Sequence, residues 1–224
     1  MKLIEYSDKD TLMVELAQVL EASLARALAE KETVTFAVPG GTTPGPLFDA
    51  LSAAPLAWER VHVILTDERW VPQDDAQSNA ALIKKRLLTG AAAAAQFTPY
   101  YSATSEIAQA ATALSVELEP LLPIDVLLLG MGADMHTASL FPGAAGLDAA
   151  LSQDAPMFLP VSVPGHTVQR FSLTSPALSS ARDTHVLITG PQKRKALEQA
   201  GTLPPEQAPI GLMLDTATIH WSAE

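Results

Sequence analysis

Asp134, His136, Thr137 and Ser139 fall close together in the run LLLGMGADMHTASLFPG, residues 127–143. A carboxylate, an imidazole and two hydroxyls on one short segment can hold a polar ligand and move a proton near neutral pH. Just upstream, Val126 to Leu129 is an apolar run of the length of a buried strand. Gly130 and Gly132 follow one residue apart, which lets the chain turn sharply and lets a ligand approach the backbone. The spacing reads as a strand that delivers its polar residues on a loop at its carboxyl end, where ligands bind in open α/β sheets. Asp, Thr and Ser after such a turn also cap helices. A cap has no use for an imidazole, so His136 is the residue that points to chemistry.

Two more strand ends carry polar residues. Thr33 to Val38 is β-branched and apolar, then Pro39-Gly40-Gly41-Thr42-Thr43-Pro44 turns into a helix marked by Leu47, Phe48 and Leu51. Pro44 or Pro46 fits the first helical turn. Free backbone N–H groups of Gly40 and Gly41 and the positive end of the helix dipole attract a phosphate, and Thr42 and Thr43 add hydroxyl donors. No Gly-Lys-Ser/Thr follows, so this is not a Walker loop; a tight turn with nothing bound is the plain alternative. Val61 to Leu65 is a second strand, with His62 inside it as a structural residue, and Thr66-Asp67-Glu68-Arg69-Trp70-Val71-Pro72 follows at once. Arg69 can fork onto a phosphate or pair with Asp67 or Glu68 on the surface. In one parallel sheet these carboxyl ends share an edge, so a phosphate nest, an arginine and a histidine converge.

The elements that must position these groups alternate along the chain. Ser7-Asp8-Lys9-Asp10 reads as a variant capping box, and Leu12, Leu16, Val19, Leu20, Leu24, Ala27 and Leu28 form the stripe of a helix to about Glu30. Ser78 caps a helix through Leu88. Residues 90–96 read as a loop or frayed helix end, and Ile107 to Leu122 as a helix stopped by Pro123. Strands are expected over 158–163, 170–174 and 185–189, with 217–222 as a last edge strand. Gly190 and Pro191 open a helix with Lys193, Arg194 and Lys195, a basic cluster that is otherwise a solvated face, and Gly201 closes it. This order predicts an α/β fold: residues 1–224 as a single Rossmann-like domain, a mostly parallel sheet with helices on both faces and a small antiparallel C-terminal part.

Composition narrows the function. The 224 residues include no cysteine, which excludes disulfides, thiol catalysis and thiolate metal sites. The first residues lack an apolar signal core and no run is long enough to span a bilayer, so a soluble cytoplasmic protein is expected. Formal net charge is −11, with 25 acidic against 14 basic residues. That balance argues against nucleic acid as a partner but admits a small anion where a few Arg and Lys converge. Oligomeric state is left open.

With these segments in view, the chain resembles the 6-phosphogluconolactonase family. PGGTTP is similar to its glycine loop, with Pro39 in place of Ser. Asp67-Glu68-Arg69-Trp70-Val71-Pro72, with Ser78-Asn79 downstream, matches its DER-x-VP segment, and LGMGADMHTASLFP its longest motif. Arg170 opening a late strand and Gly190 to Lys193 complete the pattern. The resemblance implies hydrolysis of 6-phospho-D-glucono-1,5-lactone without metal or organic cofactor. It assigns His136 as general base and Asp134 as its orienting partner or a ligand of a sugar hydroxyl. Backbone N–H groups of the Gly132–Thr137 loop stabilise the oxyanion, Asp67 joins the substrate-binding set, and Gly40, Gly41, Thr42, Thr43, Arg69, Arg170 and Lys193 hold the phosphate. Glucosamine-6-phosphate isomerase/deaminase-like enzymes are the rival; their motif places a Glu where this chain has Phe141. A non-catalytic sugar-phosphate sensor on the same fold is the other, although such sensors usually carry a helix-turn-helix for which the chain has no room. Met135 replaces the family glycine before His136, and a loop relaxed to negative φ is expected there.

Overall fold

Parallel pairing, not local propensity, decides most of the architecture of this chain, for which the computed structural model describes residues 1–224. In chain order the elements are β1 (Lys2–Tyr6), α1 (Lys9–Glu30), β2 (Val34–Val38), α2 (Gly45–Leu51), β3 (Val61–Leu65), β4 (Asp67–Arg69), α3 (Asn79–Arg86), β5 (Gln96–Phe97), α4 (Ile107–Leu118), β6 (Val126–Gly130), α5 (Leu147–Leu151), β7 (Phe158–Val161), β8 (Arg170–Leu173), α6 (Ser175–Ser179), β9 (Asp183–Thr189), α7 (Pro191–Ala200) and β10 (Thr218–Ser222).

Seven strands form one parallel sheet in the order β1-β10-β9-β6-β2-β3-β5. Every residue of β2 is buried, so both faces of the sheet are covered there. Helix α1 lies across β10, β6 and β2, with α2 beside it and α3 beside α2. Asp8 caps α1, its carboxylate accepting the Thr11 N–H at 2.7 Å, and Ser7 donates its hydroxyl to Asp8 rather than capping the helix itself. Leu12, Leu16, Leu20 and Leu24 are fully buried, as their spacing requires. They join one continuous cluster of 58 buried apolar residues.

Two readings of the sequence are corrected here. The segment 217–222 is not an edge strand: β10 lies between β1 and β9. The edge is β1, whose residues alternate too weakly to announce a strand and which forms by pairing with β10. Asp67–Arg69 is not a loop but strand β4, in a second, antiparallel sheet of order β4-β8-β7. That small sheet therefore draws one strand from the N-terminal half. Thr66 hinges the two sheets, its N–H donating to Val38 and its carbonyl accepting from Leu173, both at 2.9 Å. Residues 90–94 form a 3-10 turn, and α4 ends at Leu118, giving way to a 3-10 turn over Glu119–Leu121. Pro120 inside that turn has no N–H with which to continue the α-helix.

From β2 the chain moves outward through β3 to β5, then crosses back and lays β6 on the other side of β2. The order of strands reverses between β2 and β6, and a crevice is left at their carboxyl ends.

Candidate active site

A cleft of about 210 Å³ opens at that reversal. Gly40, Gly41 and Thr43 line it from the end of β2, Gly130 and Gly132 from the end of β6, and Lys193 from the first turn of α7. Asp67, Arg69 and Arg170 reach it from the antiparallel sheet, and His136 from the loop after β6. Four of the sequence candidates, Thr42, Asp134, Thr137 and Ser139, do not line it. His62 is remote from it, its Nε2 3.0 Å from the Thr98 hydroxyl.

The Gly40–Thr43 turn is built to face an acceptor. None of its four backbone N–H groups has a partner within the protein. Gly41 takes φ 83°, and a Cβ on Gly40 would sit 1.9 Å from the Asn79 amide oxygen, so only glycine lets the turn close against that side chain. Asn79 starts α3, where Ser78 caps the helix by accepting from the Ala81 N–H at 3.2 Å. Its amide donates to the Asp67 carbonyl at 2.8 Å and accepts from Arg69 Nη1 at 2.9 Å. In the sequence Asn79 is only part of the family-like pattern; its position between the glycine turn and Arg69 is what the fold adds.

Glu68 anchors this corner. It is 1% exposed and its carboxylate accepts from the N–H groups of Arg69, Asn79 and Ala80 at 2.7, 2.7 and 2.8 Å, and from the Ser78 hydroxyl at 3.1 Å. Burial raises its pKa above the usual carboxylate value, with the three backbone bonds opposing. Glu68 is thus spent on the start of α3, and Arg69 makes no ion pair with it or with Asp67; its Nη1 goes to the Gln77 carbonyl and Asn79 instead.

Arg69 stands directly opposite Arg170 in the β4–β8 ladder. Like charges placed so repel. Burial first, then the Arg69 charge, lower the Arg170 pKa from its ordinary value, and Asp67 opposes them. The Nε of both arginines is buried without a partner. Burial likewise lowers the pKa of Lys193, with Asp134 opposing. Arg69, Arg170 and Lys193 take part in none of the protein's ion pairs. Arg194, the next residue on α7, is paired with Glu5 and Glu198, so the basic cluster of the sequence divides and only Lys193 faces the cleft. Three cations with open donors around one cavity can take up an anion.

The loop after β6 carries a histidine paired with a carboxylate. His136 Nδ1 lies 2.5 Å from Asp134 Oδ1, and Nε2 has no partner within the protein. A Cβ on Gly132 would come within 2.2 Å of that Nδ1 and 2.3 Å of that oxygen, so glycine is required for the pair to fold back over the turn. The imidazole stacks on Phe141 with ring centroids 3.7 Å apart. The two hydroxyls serve structure: Thr137 Oγ1 donates to the Gly130 carbonyl at 2.9 Å, and Ser139 Oγ to Asp67 Oδ2 at 2.6 Å. Several loop N–H groups are also occupied, Gly132 donating to the His136 carbonyl, Met135 to the Gly132 carbonyl, and His136 to Asp134.

Those bonds pull the loop into a tight turn, and the expectation of a relaxed Met135 is wrong: its φ is 67°. Met135 holds the left-handed conformation that suits glycine, while its half-buried side chain packs against the core. No group of three or more His, Asp or Glu side chains is placed to hold a metal ion.

The fold has close counterparts. The family model described as glucosamine-6-phosphate isomerases/6-phosphogluconolactonase matches residues 7–221. The chain belongs to this family. It is 42% identical over 214 residues to a 6-phosphogluconolactonase of Mesorhizobium japonicum, covering 95% of this chain and 90% of that protein. A 6-phosphogluconolactonase of Pseudomonas putida is 39% identical over 223 residues, with 98% and 92% covered. The crystal structure of a 6-phosphogluconolactonase from Shewanella baltica superposes with a TM-score of 0.94 at 30% identity, over 100% of this chain and 98% of that one. A monomeric glucosamine-6-phosphate deaminase superposes at 0.79 with 16% identity, which shows a shared fold alone. Phe141 stacks on His136, and no second carboxylate joins the His136–Asp134 pair.

Proposed function

We propose that this chain hydrolyses 6-phospho-D-glucono-1,5-lactone to 6-phospho-D-gluconate, the reaction for which its relatives of about 40% identity are named. The observation that carries the reading is one cleft holding both a histidine with a free Nε2 and three cations without counter-ions. His136 Nε2 takes a proton from water as the water oxygen attacks the lactone carbonyl carbon. Asp134, on Nδ1, keeps the imidazole in the tautomer that leaves Nε2 basic and stabilises the imidazolium that forms; the short contact favours this role over binding a sugar hydroxyl. The tetrahedral intermediate then expels the ring oxygen, which recovers the proton from His136, and the open-chain carboxylic acid is released. Neither metal nor organic cofactor enters this scheme.

The free N–H groups of the Gly40–Thr43 turn and the side chains of Arg69, Arg170 and Lys193 hold the 6-phosphate, with Asp67 available to a sugar hydroxyl. We read residues 1–224 as one domain acting in the cytoplasm on a small molecule, without nucleic acid or membrane as partner. No helix is long and apolar enough to cross a membrane. The test is a hydrolysis assay with spontaneous opening subtracted: the phosphorylated lactone is expected to be turned over far faster than gluconolactone, and rates unaffected by EDTA. Equal kcat/KM for the two lactones refutes the assignment.

A further inference from the structure

Phe141 touches both halves of the site. Its ring stacks on the His136 imidazole at 3.7 Å with planes 19° apart, and the Arg170 guanidinium carbon lies over the same ring, 5.2 Å from its centroid. No hydrogen bond or ion pair joins Arg69, Arg170 or Lys193 to Asp134 or His136. The aromatic ring is the one side chain in contact with both Arg170 and His136, whereas Lys193 reaches the pair only through the charge of Asp134.

Each contact has a physical consequence. One hydrogen bond at Nδ1 fixes an edge of the imidazole but leaves the ring free to swing about that bond; a stacked face removes the freedom. Arg170, for its part, is crowded by Arg69 and carries a buried Nε with no acceptor. An anion in the clamp relieves that repulsion and takes up the open donors, which settles the guanidinium against the ring it already covers.

We propose that Phe141 is a positioning residue that couples occupancy of the cationic clamp to alignment of His136, so that the substrate's 6-phosphate accelerates the chemical step as well as binding. The inference rests on the lactonase reading above and deepens it. It makes the phosphate a remote group whose binding energy is used at the reacting carbon, and a substrate lacking such a group loses kcat and not only affinity.

The experiment compares wild type, Phe141→Leu and Phe141→Tyr on three substrates: the phosphorylated lactone, gluconolactone, and gluconolactone with added inorganic phosphate. Enzyme-free rates are subtracted throughout and melting temperatures are recorded. Wild type is expected to show a kcat on the phosphorylated lactone at least ~10-fold above that on gluconolactone, and to be activated on gluconolactone by phosphate, since small misplacements of a reacting group cost up to about 10²-fold. Phe141→Leu should bring the two kcat values within about threefold and abolish activation by phosphate. Phe141→Tyr, which keeps the ring, should preserve both. A Leu variant that slows both lactones in equal proportion, or that phosphate still activates, assigns Phe141 a merely structural role and overturns the coupling. So does a Tyr variant that behaves like Leu, or a wild-type preference confined to KM. Equal handling of the two lactones by wild type in both kcat and KM would instead overturn the proposed function itself.

Discussion

Two Asp-x-His pairs sit at opposite ends of the sheet. Asp134 and His136 follow the carboxyl end of β6, and Asp183 and His185 begin β9 at the amino end. In both, the histidine touches the carboxylate two residues before it, at 2.5 Å for the first and 3.3 Å for the second. Their surroundings differ. His136 has one nitrogen free and its side chain is 27% exposed beside the cleft. His185 is 3% exposed, and its second nitrogen lies 3.0 Å from His220, which in turn lies 2.7 Å from the Tyr6 hydroxyl. Ser23 donates to the remaining oxygen of Asp183. The bonds run in one direction when both imidazoles are neutral: Tyr6 donates to His220, His220 to His185, and His185 to Asp183. Burial first, then the neighbouring His185, push the His220 pKa down to about 3. His136 has an unused nitrogen beside a cavity; both nitrogens of His185 are taken. The same Asp-x-His motif leaves a nitrogen free only at the cleft.

Mutating the two histidines separately gives the sharpest contrast. His136→Ala should lower kcat by at least ~10²-fold, the range for a lost general base, with a small change in melting temperature. His185→Ala should do the reverse, leaving kcat within about twofold while costing about 1–3 kcal/mol of stability, because His220 and Asp183 lose a buried partner. Comparable kcat losses in the two variants would erase the distinction.

Next in size is the clamp. Arg170→Ala should raise KM for the phosphorylated lactone by about 10- to 100-fold, the worth of charge-assisted hydrogen bonds. It should also lower kcat toward that on gluconolactone, since it removes the guanidinium that covers the Phe141 ring. It should not lower the melting temperature, since it removes a like-charge neighbour of Arg69. A clear loss of stability would mean that the arginines support the fold rather than wait for an anion.

The buried pair should also govern acid stability. The His220 pKa is about 3 in the fold and about 6.5 in the unfolded chain, so between those values the unfolded chain binds the extra proton. Stability from this group is fully present above about pH 6.5 and is lost as pH falls toward 3, by at most ~1.4 kcal/mol per unit. Asp183, held down to about 2 by its hydrogen bond from His185 and offset by burial, adds a loss in the same direction below about pH 4. Urea melts of wild type and His220→Asn across pH 4–7 measure it; parallel curves would remove His220 from the account.

Met135 offers the smallest effect. Glycine at φ 67° relieves about 1 kcal/mol of backbone strain relative to alanine, so Met135→Gly should be more stable than Met135→Ala by about that much. The comparison of the two variants cancels the lost packing of the methionine side chain. Met135→Gly should keep kcat/KM within about tenfold, since the turn it occupies is already in the glycine conformation.

How far each of these features could be foreseen depends on how local its cause is. The strand–glycine–loop order around Gly130 and Gly132, the Gly40–Gly41 turn and the stripe of α1 are properties of residues a few positions apart. Period and backbone freedom at glycine suffice to read them. The separate placements of His136, Arg69, Arg170 and Lys193 on or near strand ends were legible for the same reason. Asp134 beside His136 was too, since neighbours in a short loop stay neighbours.

The rest depended on which strands pair. Asp67–Arg69 became a strand only because β8, about a hundred residues later, lies beside it, and that ladder alone sets Arg69 against Arg170. The edge of the main sheet fell to β1 because β10 entered between it and β9, which no local pattern at either terminus encodes. Left-handed Met135 follows from hydrogen bonds that close the loop over Gly132, and these outweigh the preference of the residue itself. Sequence by itself determined which side chains could act and at which strand ends they would stand. Tertiary structure decided which of them kept a free donor, acceptor or charge, because valence is used up by whatever the fold brings alongside.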